Sequence, residues 1–150
     1  MGNKDENERL VPICIIYIDD VRLSTALEGA FRSVTIHDRM NGIGECAITF
    51  YNQDLEQDDK KTFSYDSKVS VELGYKDNTS KVFIGEIIKK NIDLSEHGSG
   101  TFSVTASSYL QRLDHGIHKR VFTNKTPSQA VQDILSNYDL KTETDSFGVS

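Results

Sequence analysis

The sequence predicts a mainly β fold with short helices: a small antiparallel β-barrel over residues 10–106, then a helical connection and the start of a second, incomplete domain over 107–150. Three observations point there. Val69, Val71, Leu73 and Tyr75 alternate with Lys68, Ser70, Glu72 and Gly74, a period of two that makes one face apolar and the other wet. A long extended run from Lys81 to Leu94 follows, and then Phe102, Val104 and Ala106 alternate with Thr101, Ser103 and Thr105, so the whole stretch reads as an antiparallel meander. After Ala106 the period changes to that of a helix.

From the start of the chain, residues 1–9 are charged and polar and are expected to be disordered. Val11 to Ile18 (VPICIIYI) is a continuous apolar run whose length and Ile content favour a strand, with Pro12 at its beginning or on an edge. Asp19-Asp20 is its turn, and Val21 to Leu27 reads as a short strand that gives way to a loop through Glu28-Gly29. Phe31 to Phe50 reads as a hairpin: Val34 and Ile36 on one arm, Cys46, Ile48 and Phe50 on the other, Asn41-Gly42 in the turn. Asn52 to Lys61 is a polar loop or short helical turn. Within the meander, Lys76–Ser80 and Ser95–Gly100 are the reversals. The central run has about fourteen positions, where strands usually have about five or six. Its alternation falters at Gly85, between Val82-Phe83-Ile84 and the set Ile88, Ile92, Leu94. A long strand bent or bulged at a glycine is how small barrels turn corners, so Gly85 is read as structural.

Ser107 is placed to cap a short helix with Tyr109, Leu110 and Leu113 on its apolar side and Gly116 at its end. The clearest helix start is Thr126-Pro127-Ser128-Gln129, with Thr126 as N-cap, Pro127 at the first helical position and Gln129 completing a capping box. Ala130, Val131, Ile134, Leu135 and Tyr138 then form one helical face. Ser146 to Ser150 carry no terminating signal, and more chain is expected after them.

Composition bounds the function. A hydrophobic content of 37% and a charged content of 27% are ordinary for a soluble domain. A net charge of −6 argues against a nucleic-acid partner, and Lys89-Lys90 reads as the solvated face of a strand. There is no apolar run long enough for a membrane anchor and no apolar core to a secretory signal, so export would need another route. Cys14 and Cys46 lie on strands and read as two small buried hydrophobes; no zinc spacing is present. No catalytic constellation is found. His37-Asp38 are strand neighbours that point apart, and His115 and His118 straddle Gly116 and make a poor metal pair. The acidic loop of Asp54, Glu56, Asp58 and Asp59 lacks the glycine and terminal Glu of a calcium loop. Phe63, Tyr65 and Tyr75 could be a stacking platform, but without basic neighbours they read as core or interface packing. The expectation is therefore of no enzyme, no cofactor and no metal site.

Four stretches, in this order, resemble the N-terminal part of the hub and spike proteins of contractile tails, a group that includes the phage late-control D protein, the phage baseplate hub and the VgrG spike of type VI secretion. They are PICIIYIDD, SVTIHDRMNGIGECAITFYNQD, KVSVELGYKDNTSKVFIGEI and YLQRLDHGIHKRVFTNKTPSQAVQDILSNYDL, together about residues 11–140. The resemblance implies a tail-hub barrel and a structural role, joining tube to spike as a homotrimer. It also implies tail-tube and baseplate or spike partners, and assembly in the cytoplasm into a tail or injection particle that is itself exported. Edge strands would pair with the neighbouring subunit, since exposed edges seek partners; which edge does so is not readable. Two alternatives stay open: a free-standing β-barrel module that binds a protein, peptide or glycan, and a hydrolase whose catalytic part lies beyond Ser150.

Overall fold

The computed structural model describes residues 11–40, 42–52, 55–75, 78–94, 100–114 and 119–140, apart from the Asp58 side chain. The chain divides into two compact units, Met1–Ser108 and Tyr109–Ser150. The first is mainly antiparallel β-sheet with short helices. Its elements are β1 (Pro12–Ile18), β2 (Val21–Arg22), α1 (Thr25–Ala30), β3 (Phe31–His37), β4 (Glu45–Tyr51), α2 (Gln57–Lys61), β5 (Lys68–Tyr75), β6 (Asn78–Asp93) and β7 (Thr101–Ser108). All seven strands lie in one sheet of order β2-β1-β5-β6-β7-β4-β3.

The meander forms as its alternation dictates. Val69 and Val71 of β5, Phe83 and Ile87 of β6, and Phe102, Val104 and Ala106 of β7 are all buried. β1 adds Ile16 and Ile18 beside Val71 and Val69, and β4 adds Cys46, Ile48 and Phe50 beside Ala106, Val104 and Phe102. One end of this core is aromatic. Phe50 and Phe63 have ring centroids 5.3 Å apart, and Phe63 and Phe102 5.6 Å. Phe63 reaches them because the short helix α2 and its flanks return the chain to the sheet, with Leu55 buried on the way.

The β1–β2 turn is built from two residues in the left-handed region, Asp19 (φ 50°) and Asp20 (φ 65°), the geometry that matches the twist of a two-residue hairpin. Asp tolerates it because its short polar side chain bonds locally. Here Asp19 Oδ1 accepts from the Lys68 amide at 2.8 Å and Asp20 Oδ1 from Lys68 Nζ at 2.7 Å, which ties the turn to the start of β5.

The expected barrel is not closed. Among the described residues the sheet ends at β2 on one side and β3 on the other, and no backbone ladder joins them. β6 is also longer than its apolar pattern suggests, beginning at Asn78 because Asn78, Thr79 and Ser80 pair with β5 instead of forming a loop. Its irregularities flank Gly85: the register shifts opposite Val71/Glu72, at Val82, and again between Ile87 and Lys89. Phe83, Gly85 and Ile87 share the core-facing phase up to the second shift; beyond it Lys90 and Ile92 stand opposite Val104 and Phe102, and Ile88, Ile92 and Leu94 are exposed. Gly85 instead marks a close approach. A Cβ there would lie 2.2 Å from the Ser107 carbonyl oxygen and 2.8 Å from Phe83 Cζ.

Two further expectations are corrected. The segment after Arg22 is a helix, α1, capped by Ser24, whose Oγ accepts from the Leu27 amide at 3.3 Å. Ser107 caps nothing; it sits in β7, 1% exposed, and the 3₁₀ turn that follows is Tyr109–Asp114. In the second unit, α3 (Pro127–Ser136) starts as its signal requires, with Thr126 Oγ accepting from the Gln129 amide and Gln129 Oε1 from the Thr126 amide. Its apolar face is not buried: the helix has no buried residue and Val131 is 43% exposed. Arg112 Nη1 donates to the Tyr138 carbonyl at 3.4 Å, tying the 3₁₀ turn to the end of α3 within this unit. The expectations for residues 1–9, Asn41, the Lys76-Asp77 and Ser95–Ser99 turns, Gly116 and the tail after Leu140 lie outside the described residues.

Candidate functional site

The open side of the sheet holds a cleft of about 170 Å³ lined by Cys14 and Ile16 of β1, Arg22 and Leu23 after the first turn, Glu28 of α1 and Phe31 of β3. Three local events assemble it. The Asp19-Asp20 turn folds the chain back so that the Leu23 amide donates to the Ile16 carbonyl at 3.1 Å. The Ser24 cap then starts α1, which buries Leu27 and Ala30 and leaves Glu28 outward. With no intervening loop, α1 runs directly into Phe31, whose ring packs edge-on against Phe50 at 6.3 Å. Cys14, Ile16, Leu23 and Phe31 line it with apolar side chains, and Arg22 Nε and Glu28 Oε1 form an ion pair at 2.6 Å.

The electrostatics follow from this placement. The hydrogen bond to Glu28, and then its charge, raise the Arg22 pKa above the ordinary guanidinium value. Burial pushes the Cys14 thiol up from its usual value, so it is protonated and a poor nucleophile near neutral pH. Cys46 is wholly buried and pushed up to about 12, first by burial and then by the nearby Cys14. Both cysteines are free thiols. They belong to strands that are not neighbours in the sheet, so their mutual influence runs through the core rather than along a ladder.

The side chains singled out in the sequence are mostly not brought together. Tyr65 is exposed under Lys90 Nζ at 4.6 Å, Phe63 is in the core, and Tyr75 faces Asn78 at the far end of the β5–β6 pair. Tyr65 lies by Ile87, roughly 30 Å along β6 from Asn78 at about 3.3 Å per residue. These rings make no common platform. Asp59 Oδ2 accepts from the Glu56 amide at 3.0 Å, so it caps α2. His37 ends β3 opposite Glu45. The Asp38 carboxylate and Ser108 both approach Gly44, 3.6 Å and 3.9 Å from where its Cβ would be. Among the described residues, however, the Ser108 hydroxyl has no hydrogen-bond partner and so no base to activate it. Among the described residues no three metal-ligating side chains cluster. Asp54, His97, His115 and His118 lie outside the described residues, as does the Asp58 side chain.

Sequence reasoning missed Arg22, Leu23 and Glu28, because Val21–Leu27 reads ambiguously. The available signal was Ser24, a good N-cap with an acidic residue four positions on.

Residues 11–150 match the family model described as the Alg8 N-terminal domain. The chain belongs to the Alg8 N-terminal domain family. No match was found among curated proteins. The family match overturns the resemblance to contractile-tail hubs and VgrG spikes. The resemblance rested on four strand–turn–strand and helix stretches in order, patterns that many sheets share, and the closed barrel it implied is not formed by this open sheet. The role as a phage-tail, baseplate or type VI spike component falls with it, as do the non-enzymatic assignment and the assembly into a tail or injection particle. The free-standing binding module gains nothing from the match either. Among the described residues of this Alg8-type chain, no helix is long and apolar enough to cross a membrane.

Proposed function

We propose that this chain is the N-terminal domain of a larger Alg8-type protein and serves there as an accessory scaffold. The match over residues 11–150 carries the reading. Alg8 is a name carried by glycosyltransferases, which makes transfer of a sugar from an activated donor the activity to assay first in the full-length protein. The cleft supports an accessory role for this domain. Its two charged side chains are paired with each other and its thiol is held protonated, an environment suited to seating a neighbouring side chain rather than breaking a bond.

The test uses the full-length protein with nucleotide-linked and lipid-phosphate-linked sugar donors, assayed for donor turnover. The same assay is run on Leu23→Glu, which adds a charge to the cleft lining. Turnover in the parent and a loss of about tenfold or more in a folded Leu23→Glu variant supports the reading. No sugar transfer with either donor class overturns the glycosyltransferase association. Undiminished transfer by the variant removes the role given to the cleft.

A further inference from the structure

We propose that β3 is a self-association edge, pairing antiparallel with β3 of a second copy about a twofold axis at Val34. The sheet ends at β3, and the direction of its free backbone groups can be worked out from the neighbouring strand. The Ser108 amide donates to the Gly44 carbonyl at 2.8 Å and the Asn52 amide to the Gly100 carbonyl at 2.9 Å, so the even residues of β4 bond toward β7. Antiparallel bonding alternates. The odd residues Glu45, Ala47 and Thr49 therefore bond toward β3, through their partners His37, Thr35 and Ser33. The N–H and C=O groups of Val34 and Ile36 consequently point off the edge of the sheet, where an added strand would find them. Their side chains are packed against the core yet only partly buried, so the core is also left open along this strand.

The other edge is guarded. β1 opens with Pro12, and β2 covers its far end at Tyr17 and Ile18. β3 (FRSVTIH) has no proline, no lysine and no inward-pointing charge, and its one register shift, between Phe31 and Ser33, leaves Ser33–His37 as a regular edge. It is also complementary to itself. With the axis at Val34, Ser33 faces Thr35 of the second copy, a cross-strand hydroxyl pair, and Arg32 falls at the register shift beyond this pairing, so no like charges meet. A single edge pair buries less than the roughly 1,200 Å² of a standard interface, so the dimer is weak and concentration-dependent. This inference stands on the edge geometry and does not rest on the proposed function.

The test is sedimentation equilibrium of the 150-residue chain from about 10 to 500 µM. A monomer–dimer equilibrium is expected. Ser33→Lys/Thr35→Lys, on the solvent face of β3, sets lysines opposite lysines and should weaken the dimer at least tenfold with no change in melting temperature. Ser33→Lys/Thr35→Glu sets opposite charges in the same positions and should restore it. Val34→Pro removes no N–H that bonds within the sheet, though it also trims a partly buried side chain, so it should abolish the dimer while leaving the sheet spectrum intact. A monomer throughout the range overturns the proposal. So does a trimer, or a dimer that responds equally to the two charge pairs.

Discussion

Gly85→Ala places a methyl group against the backbone of β7. Its Cβ would be 2.2 Å from the Ser107 carbonyl oxygen and 2.7 Å from the carbonyl carbon, against the 3.4 Å at which ordinary contact begins. Relief requires the strands to part by about 1 Å, and a hydrogen bond of about 2.9 Å stretched by that amount is no longer one. The pairs at risk are Gly85↔Ser108 and Glu86↔Ser107. Losing one or two backbone bonds costs about 1–2 kcal/mol, and overpacking against the Phe83 ring adds about 1–3 kcal/mol. The expected destabilisation is about 3–4 kcal/mol, a large part of a domain stability of about 5–15 kcal/mol. Urea unfolding followed by circular dichroism reads this as a midpoint shift of about 2 M, taking a slope of about 1.5–2 kcal/mol/M. Gly29→Ala is the control, because its Cβ meets nothing within 4 Å and lies in α1. It should stabilise by about 0.5–1 kcal/mol. A midpoint within about 0.3 M of wild type for Gly85→Ala would refute the close approach.

Other perturbations test the core, the turn, the cap and the thiol. Phe63→Ala opens the aromatic end of the core and should cost about 3–5 kcal/mol in the same urea titration. Asp19→Ala removes the acceptor of the Lys68 amide and leaves a β-carbon residue at φ 50°, so a loss of about 1–2 kcal/mol is expected from thermal melts. Thr126→Ala removes the N-cap of α3 and should weaken that helix by about 1 kcal/mol, read from backbone chemical shifts; Thr126→Ser should not. For Cys46, the folded thiol at about 12 lies above its value of 9.0 in the unfolded chain. The fold thus favours the protonated form, and its stabilisation is full below pH 9.0 and lost as pH rises toward about 12. Cys46→Ala should flatten this alkaline slope in unfolding midpoints measured from pH 8 to 11.

What could be read from the sequence was what alternation alone determines. The β5–β6–β7 meander and the β3–β4 hairpin are visible because apolar and polar residues trade places at every step. The α3 start is visible because its cap signal is local. The phase of β6 was not visible, since the register shifts at Val82 and Ile88 change which alternate residues face the core without changing the composition. α1 was hidden by its six-residue length and by Gly29 within it. VPICIIYI suggested a strand and, with it, heavy burial. The structure buries Ile16 and Ile18 and leaves Ile13, Ile15 and Tyr17 half-covered, because only one face of the sheet meets the core. The cleft draws on four elements and exists only once the sheet curls, so no window of sequence contains it. Family membership was likewise out of reach, because a strand pattern states a shape and not a lineage.

The strand order has a consequence in time. β5, β6 and β7 follow one another in the chain and in the sheet, so their pairing closes only short loops. β1 must find β5 across a separation of 49 residues between Asp19 and Lys68, and β4 must reach β7 across a comparable span. Long closures are entropically dearer and slower. The meander therefore serves as the template on which the flanks condense, β1 from one side and the β3–β4 hairpin from the other. In pulsed hydrogen exchange during refolding, β6 amides should gain protection first and those of β1 and β3 last. Until they do, the middle of the sheet is bordered by two unfilled edges, and that interval is when the chain is most open to pairing with the wrong strand.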